Sequence, residues 1–359
     1  MEVLANPAVH SPIPKTLLLT FVMYVSNLRE VRLNYVPNPF HSVSVYFSPS
    51  GSRGACALQQ TMAEVPDYKT IMETVAPCVD VEGIQIPKVF ETNRPMKEQV
   101  ECIRAMEMRE DDVIVCAFSR SGTHWLWEVA SMLLTGKVEY EKHTKENAML
   151  EAIEMEKTGA LPSPRLLNTH LPVSMLPRQV KDKRIKVILV YRNVKDVFVS
   201  LYYNMLGMPG TENYTWDIHE RMFLTDDCMY GTYVFYHKGM DSFIKDNPDV
   251  PVFRVSYEDT KEDPVGVVKK LAEFLGVTAT SEFCSQVAEA CSFQKLKEAD
   301  KHKIQMPIIE QLPPEHKPVM YRKGEVGDWK NHLTVARSER LDAAIKQLEG
   351  CDYHFRYTL

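Results

Sequence analysis

The residues with the plainest chemistry are Arg120, Ser121, Gly122 and Thr123, which follow one another directly. A guanidinium, two hydroxyls and a glycine at one bend are groups that hold a phosphate. Their flanks say where the bend sits. Val113–Phe118 is an apolar run that reads as a buried strand, broken at Ser119-Arg120-Ser121-Gly122. Thr123-His124-Trp125 then opens a helix, whose free backbone N–H groups and dipole favour negative charge. Two familiar glycine-rich loops are excluded. There is no G-x-x-x-x-G-K-[ST] string here, and of G-x-G-x-x-G only Gly122 is present. Taken alone, Arg120 could be a surface arginine at a helix entry.

The bend resembles the phosphosulfate-binding loop of the cytosolic sulfotransferases, Tyr-Pro-Lys-Ser-Gly-Thr-Thr-Trp. Further segments follow in that family's order. Asn168-Thr169-His170-Leu171-Pro172 is similar to its Lys-Thr-His-Leu-Pro, and Arg192-Asn193-Val194-Lys195-Asp196 with Ser200 to its Arg-Asn-x-Lys-Asp…Ser. Tyr257-Glu258-Asp259 follows a strand-like run, and Arg322-Lys323-Gly324-Glu325-Val326-Gly327-Asp328-Trp329-Lys330 repeats Arg-Lys-Gly-x-x-Gly-Asp-Trp-Lys. The resemblance spans most of residues 62–359.

That resemblance implies transfer of a sulfonate group from 3′-phosphoadenosine 5′-phosphosulfate, the co-substrate, to a hydroxyl or amine of a small acceptor. His170 would be the general base, since imidazole is matched to neutral pH. Arg120, the Ser121–Thr123 amides and the Thr123 hydroxyl would face the bridging phosphate oxygen, where charge builds. His124 and Trp125 complete the loop. Arg192, Ser200, Arg322, Lys323 and Gly324 would hold the 3′-phosphate, with Trp125, Tyr257 and Phe293 against the adenine. Helix spacing equally allows Arg192 a salt bridge to Asp196, and each aromatic could be core. Lys330, Thr334, Val335 and Glu339 fit the family's short dimerisation segment, so a homodimer is expected. Departures from the pattern include Arg120 and Asn168, which replace lysines, and His124, which replaces a threonine. A protein that holds the nucleotide without turnover is therefore a second reading. An ATP-dependent kinase is a third, weakened by the missing lysine–threonine pair.

Elements must position these groups. Strands are expected at Val113–Phe118, Ile185–Tyr191 and Val252–Ser256, with helices over about 123–134, 194–204 and 264–275. Asp263-Pro264 supplies an N-cap and a first-turn proline for the last helix. Alternation of this kind predicts an α/β fold: a mostly parallel central sheet flanked by helices, carrying a P-loop-like strand-loop-helix. Ligands of such sheets bind beyond the carboxyl ends of the strands. Glu141–Lys157 reads as a solvated helix or mobile loop at a pocket mouth. Loops near 75–90, 141–160 and 204–225 would shape the acceptor pocket. Met205, Met208, Tyr214 and Trp216 hint that the acceptor is apolar.

With 359 residues, the chain suits one large α/β domain or two smaller ones. A net charge of −6 argues against broad attraction to nucleic acid, so an anion site must be a local basic pocket. The eight cysteines form no Cys-x-x-Cys pair and read as free thiols of a reducing, cytoplasmic compartment, with no metal site. Asn213-Tyr214-Thr215 is read as a chance glycosylation triplet. Residues 1–61 are basic, with prolines and serines, and are expected to form a poorly ordered leader before a 62–359 domain. The apolar run Thr16–Val25 is about half what a bilayer demands, so no membrane span is expected.

Overall fold

The computed structural model describes residues 19–25, 28–35, 67–90, 92–313 and 320–359. It divides into two units, Met1–Asp67 and Tyr68–Leu359. In the first, β1 (Leu19–Val25) and β2 (Leu28–Tyr35) pair antiparallel. The sequence reading names no element there. Its domain start at Met62-Ala63-Glu64, like Cys56, lies outside the described residues.

The second unit holds a short antiparallel pair, β3 (Cys78–Val81) with β4 (Ile84–Pro87), and a four-stranded parallel sheet. The sheet strands are β5 (Val113–Ala117), β6 (Leu166–Thr169), β7 (Lys186–Tyr191) and β8 (Val252–Ser256), in the order β6-β5-β7-β8. Three of the four were expected to within a residue at each end. β6 was not, because Leu-Leu-Asn-Thr has too few apolar residues to register as a run.

Every residue of β5 is buried, as a parallel strand covered on both faces must be. Its side chains alternate between two cores. Ile114 and Cys116 join Val187 and Leu189 on one face. Val113, Val115 and Ala117 join Ile188, Val190 and Val255 on the other, against Leu126 and Val129 of the helix Thr123–Thr135. Each fully buried aliphatic side chain contributes roughly 1.5–3 kcal/mol, so this double burial pins the register. The helices Val194–Met205 and Pro264–Leu275 start where expected, the latter with the Asp263 carboxylate accepting from Gly266 N at 2.8 Å.

Two histidines besides His170 are buried in this framework. His219 shares hydrogens with Tyr214 Oη at 2.8 Å and the Phe198 carbonyl at 2.9 Å, while neither ring nitrogen of His237 has a partner. Burial pushes both down to about 3, so both are neutral in the folded protein. Unfolded, they titrate near ~6.5 and bind more protons below that pH. Their contribution to stability is therefore fully present above pH ~6.5 and is lost as pH falls toward 3. Thermal denaturation should show Tm falling steadily as pH is lowered from ~7 to ~4; a Tm unchanged over that window would contradict the neutral burial of these rings.

Candidate active site

Parallel strands end on the same side, and this brings the sequence-named groups together. Cys116 is level with Thr169, Ala117 with Val190, and Tyr191 with Ser256. The next residues along each strand are the Ser119–Gly122 bend, His170, Arg192 and Tyr257. They open into a cavity of about 750 Å³. Its lining includes Arg120, Gly122, Thr123, His124, Trp125, His170, Arg192, Ser200, Tyr257, Phe293, Arg322, Lys323 and Gly324. Ser121 alone of the candidates does not line it; the residue is fully buried.

The bend depends on two left-handed residues, Arg120 at φ +69° and Gly122 at φ +103°. Glycine is required at the second for a further reason. A Cβ there would lie 2.6 Å from Tyr257 Cδ2. Gly324, at φ +72°, meets the same limit: its Cβ would lie 2.2 Å from Phe293 Cδ2. Two distant aromatics thus press on two glycines, and side chains at either point would fill the space.

Three guanidinium groups converge here. Arg120 Nε donates to Ser200 Oγ at 3.2 Å, and its Nη2 to the Met320 carbonyl at 3.3 Å. Arg192 lies over the Tyr257 ring, Cζ 4.1 Å from its centre, and donates to the Glu325 carbonyl at 3.0 Å. Asp196 is 3.9 Å away, outside hydrogen-bond reach, so the salt bridge that helix spacing allows is loose. Asp196 instead accepts from Gly327 N at 2.8 Å and Trp329 N at 3.1 Å, drawing the 322–330 segment onto the sheet. Arg322 and Lys323 reach Asp328 at 2.5 and 2.6 Å. Burial raises that carboxyl's affinity for its proton, but the hydrogen bonds from Lys323, Asn331 and Arg322 win and hold it well below the usual range. Burial, then repulsion from Arg192 and Arg322, lowers Arg120 to about 10 despite the attraction of Glu146.

His170 is held from two directions. Its backbone N–H donates to Glu151 at 2.8 Å, and Glu151 also accepts from the Thr169 hydroxyl at 2.7 Å. Its ring Nδ1 lies 2.7 Å from the Ala117 carbonyl. A carbonyl only accepts, so Nδ1 carries the hydrogen and Nε2 keeps its lone pair. Burial, then the charge of Lys145, pushes the imidazole down to about 3.

Glu151, Lys145 and Glu146 are the residues the sequence reading missed, and the reason is a correction. Glu141–Lys157 is not a solvated element: Thr144, Lys145, Glu146 and Ala148 to Ile153 are buried. Lys145–Ala148 forms a single 3-10 turn at the cavity wall, and only Met155–Ala160 is helical. His124 Nε2 and Lys145 Nζ each lie 3.2 Å from Glu146 Oε1. Charged spacing concealed this burial, because the charges neutralise one another inside. Of the four residues read as apolar pocket hints, Met205 and Met208 line the cavity. Tyr214 and Trp216 do not; both stack on Tyr202, at 5.9 and 3.6 Å between ring centres.

The described helices include none long and apolar enough to cross a membrane, and no described cluster of His, Cys, Asp or Glu could hold a metal.

Comparison with known proteins decides the family. The sequence model described as "Sulfotransferase domain" matches residues 110–350. Sulfotransferase 1A1 of Rattus norvegicus is 35% identical over 299 residues, covering 79% of this chain and 98% of its own. The chain belongs to the sulfotransferase family. Sulfotransferase 1C2 of Oryctolagus cuniculus is 32% identical, covering 77% of this chain and 94% of its own. Among solved structures, the mouse sulfotransferase SULT7A1 complexed with PAP has a TM-score of 0.61 at 25% identity, covering 77% of this chain and 96% of its own. This sulfotransferase therefore shares its α/β scaffold with a protein crystallised around a nucleotide.

The bend is the part of the site most easily broken. Gly122→Ala should lower stability by about 1–3 kcal/mol, through the left-handed strain and displacement of Tyr257. Denaturant unfolding measures it; an unchanged midpoint would mean that Tyr257 is not seated against this bend.

Proposed function

We propose that the cavity binds 3′-phosphoadenosine 5′-phosphosulfate and that the protein transfers its sulfonate to a hydroxyl or amine of a small apolar acceptor, a phenol, alcohol or steroid. The observation that carries this is the convergence of Arg120, Arg192 and Arg322 on one cavity. Like charges gathered out of water favour a polyanionic occupant. Arg192 Nε, a buried atom of the cavity lining, has no partner and suits a phosphate. The Tyr257 and Phe293 rings, packed against Gly122 and Gly324 and lining the cavity, suit a flat base.

In this reading Ser121 to Thr123 and Arg120 hold the 5′-phosphate, and Arg192, Ser200, Arg322, Lys323 and Gly324 hold the 3′-phosphate. Bound there, the nucleotide supplies a sulfonate whose bond to the 5′-phosphate oxygen breaks as a new S–O or S–N bond forms on the acceptor. His170 Nε2 takes the acceptor's proton as that bond forms and later yields it to water. Its lowered basicity keeps the ring neutral and ready at pH 7. Arg120 neutralises the charge left on the phosphate. Apolar walls from Met205, Met208, Met229 and Phe90 favour a hydrophobic acceptor. Lys330, Thr334, Val335 and Glu339 are all exposed, Val335 by 75%, and would make the small homodimer contact. The setting proposed is the cytoplasm.

An acceptor screen with radiolabelled donor should find turnover on a phenol, steroid or aliphatic alcohol. His170→Ala should cut that turnover by about 100-fold or more while adenosine 3′,5′-bisphosphate (PAP) still binds in calorimetry. Normal turnover by His170→Ala would exclude the base; binding without turnover in the unaltered protein would favour a nucleotide-holding protein instead. Arg192→Gln should weaken PAP by about tenfold or more, through a lost charge-assisted contact, and leave adenosine 5′-monophosphate almost unaffected. Equal loss for both nucleotides would remove Arg192 from the 3′-phosphate.

A further inference from the structure

Asn168 stands where the resembling segment carries a lysine, two residues before His170. The segment has lost a cation at the point where the strand runs into the catalytic base. The folded chain returns one from elsewhere. Lys145 comes from a 3-10 turn more than twenty positions earlier, and its Nζ lies 3.3 Å from Asn168 Oδ1. The contact is reciprocal, since Asn168 Nδ2 donates to the Lys145 carbonyl at 2.7 Å. Met149 bridges to Asn168 as well, so the turn is fastened to the end of β6 by backbone and side chain together.

We propose that Lys145 is a catalytic residue: its ammonium contacts the sulfonate oxygens during transfer, supplying from the turn the charge that residue 168 lacks. The inference rests on the reading that the cavity takes a phosphosulfate donor. Four observations support it. Lys145 lines the cavity with His170 and Arg120. The residue is only 2% exposed, so its charge is little screened by water. An ammonium has three hydrogens, and the two acceptors beside it, Asn168 Oδ1 and Glu146 Oε1, occupy two. The His170 imidazole responds to its field, which ranks after burial among the causes that lower it.

The asparagine acquires a function in this arrangement. A lysine at 168 would set a second ammonium against Lys145 and repel it. An amide there orients the turn with its N–H and the ammonium with its oxygen. Glu146 does the complementary work, held well below the usual carboxylate range because Lys145 and His124 outweigh its burial. It offsets part of the cost of burying Lys145 while His124 fixes its other side.

Transfer of sulfonate passes through a trigonal, negatively charged array that orthovanadate imitates, so vanadate on the PAP-loaded protein is the probe. Lys145→Met should weaken vanadate by about tenfold or more while PAP affinity stays within about twofold. Asn168→Lys added to Lys145→Met should restore vanadate binding, because the charge is then delivered from the strand. Lys145→Gln serves in the same test if the methionine variant fails to bind PAP. Unchanged vanadate affinity in Lys145→Met, no rescue by Asn168→Lys, or no vanadate binding to the PAP-loaded unaltered protein would each overturn the role of Lys145. Failure of the unaltered protein to bind PAP would instead overturn the donor reading itself.

Discussion

Mutual repulsion among cations gathered at one cavity is the constraint around which this molecule is arranged. Arg120, Arg192 and Arg322 come from three distant stretches of chain and meet at one cavity, where burial and their own neighbours lower the first to about 10. Left to itself, such a cluster would disperse toward water. It persists because the scaffold fixes each member separately. The Ser200 hydroxyl and Met320 carbonyl hold Arg120, the Tyr257 ring and Glu325 carbonyl hold Arg192, and Asp328 holds Arg322. With the proposed doubly phosphorylated donor, keeping this strain in the resting fold means that binding needs no reorganisation.

The parallel sheet makes such fixing possible. With all four strands pointing one way, the bend, His170, Arg192 and Tyr257 need only follow their own strands to arrive together. Buried carboxylates then tie neighbouring strand ends. Glu258 accepts from both the backbone and side chain of Asn193 at 2.9 Å, joining β8 to β7, and Glu151 seats the His170 backbone. Asp196 brings in the most distant piece by accepting from the 327–329 backbone. The segments that carry the cations are thus tied together by buried carboxylates.

Much of this was legible in the sequence, and the rest was hidden for identifiable reasons. Val113–Phe118 announced β5 because a strand covered on both faces must be apolar throughout. Glycine at the bend was read as part of a phosphate-holding turn, and only the fold shows that Tyr257 packs against it and Phe293 against Gly324. The short strand β6 escaped notice because its last residues, Asn168 and Thr169, are polar and spend their hydrogen bonds on Lys145 and Glu151. Lys145 and Glu146 escaped for a related reason. A run of charges reads as a solvated surface, and nothing in its spacing reveals that opposite charges have been buried against each other. Polar groups satisfied by distant partners are the blind spot of local pattern.

The most direct measurement is a crystal structure of the protein with adenosine 3′,5′-bisphosphate. One phosphate should rest on the backbone amides of Ser121 to Thr123, with the other against Arg192 and Ser200 and the base between Tyr257 and Phe293. A nucleotide bound with neither phosphate on the bend after Phe118, or bound outside this cavity, would contradict the convergence of cations as the organising feature of the site.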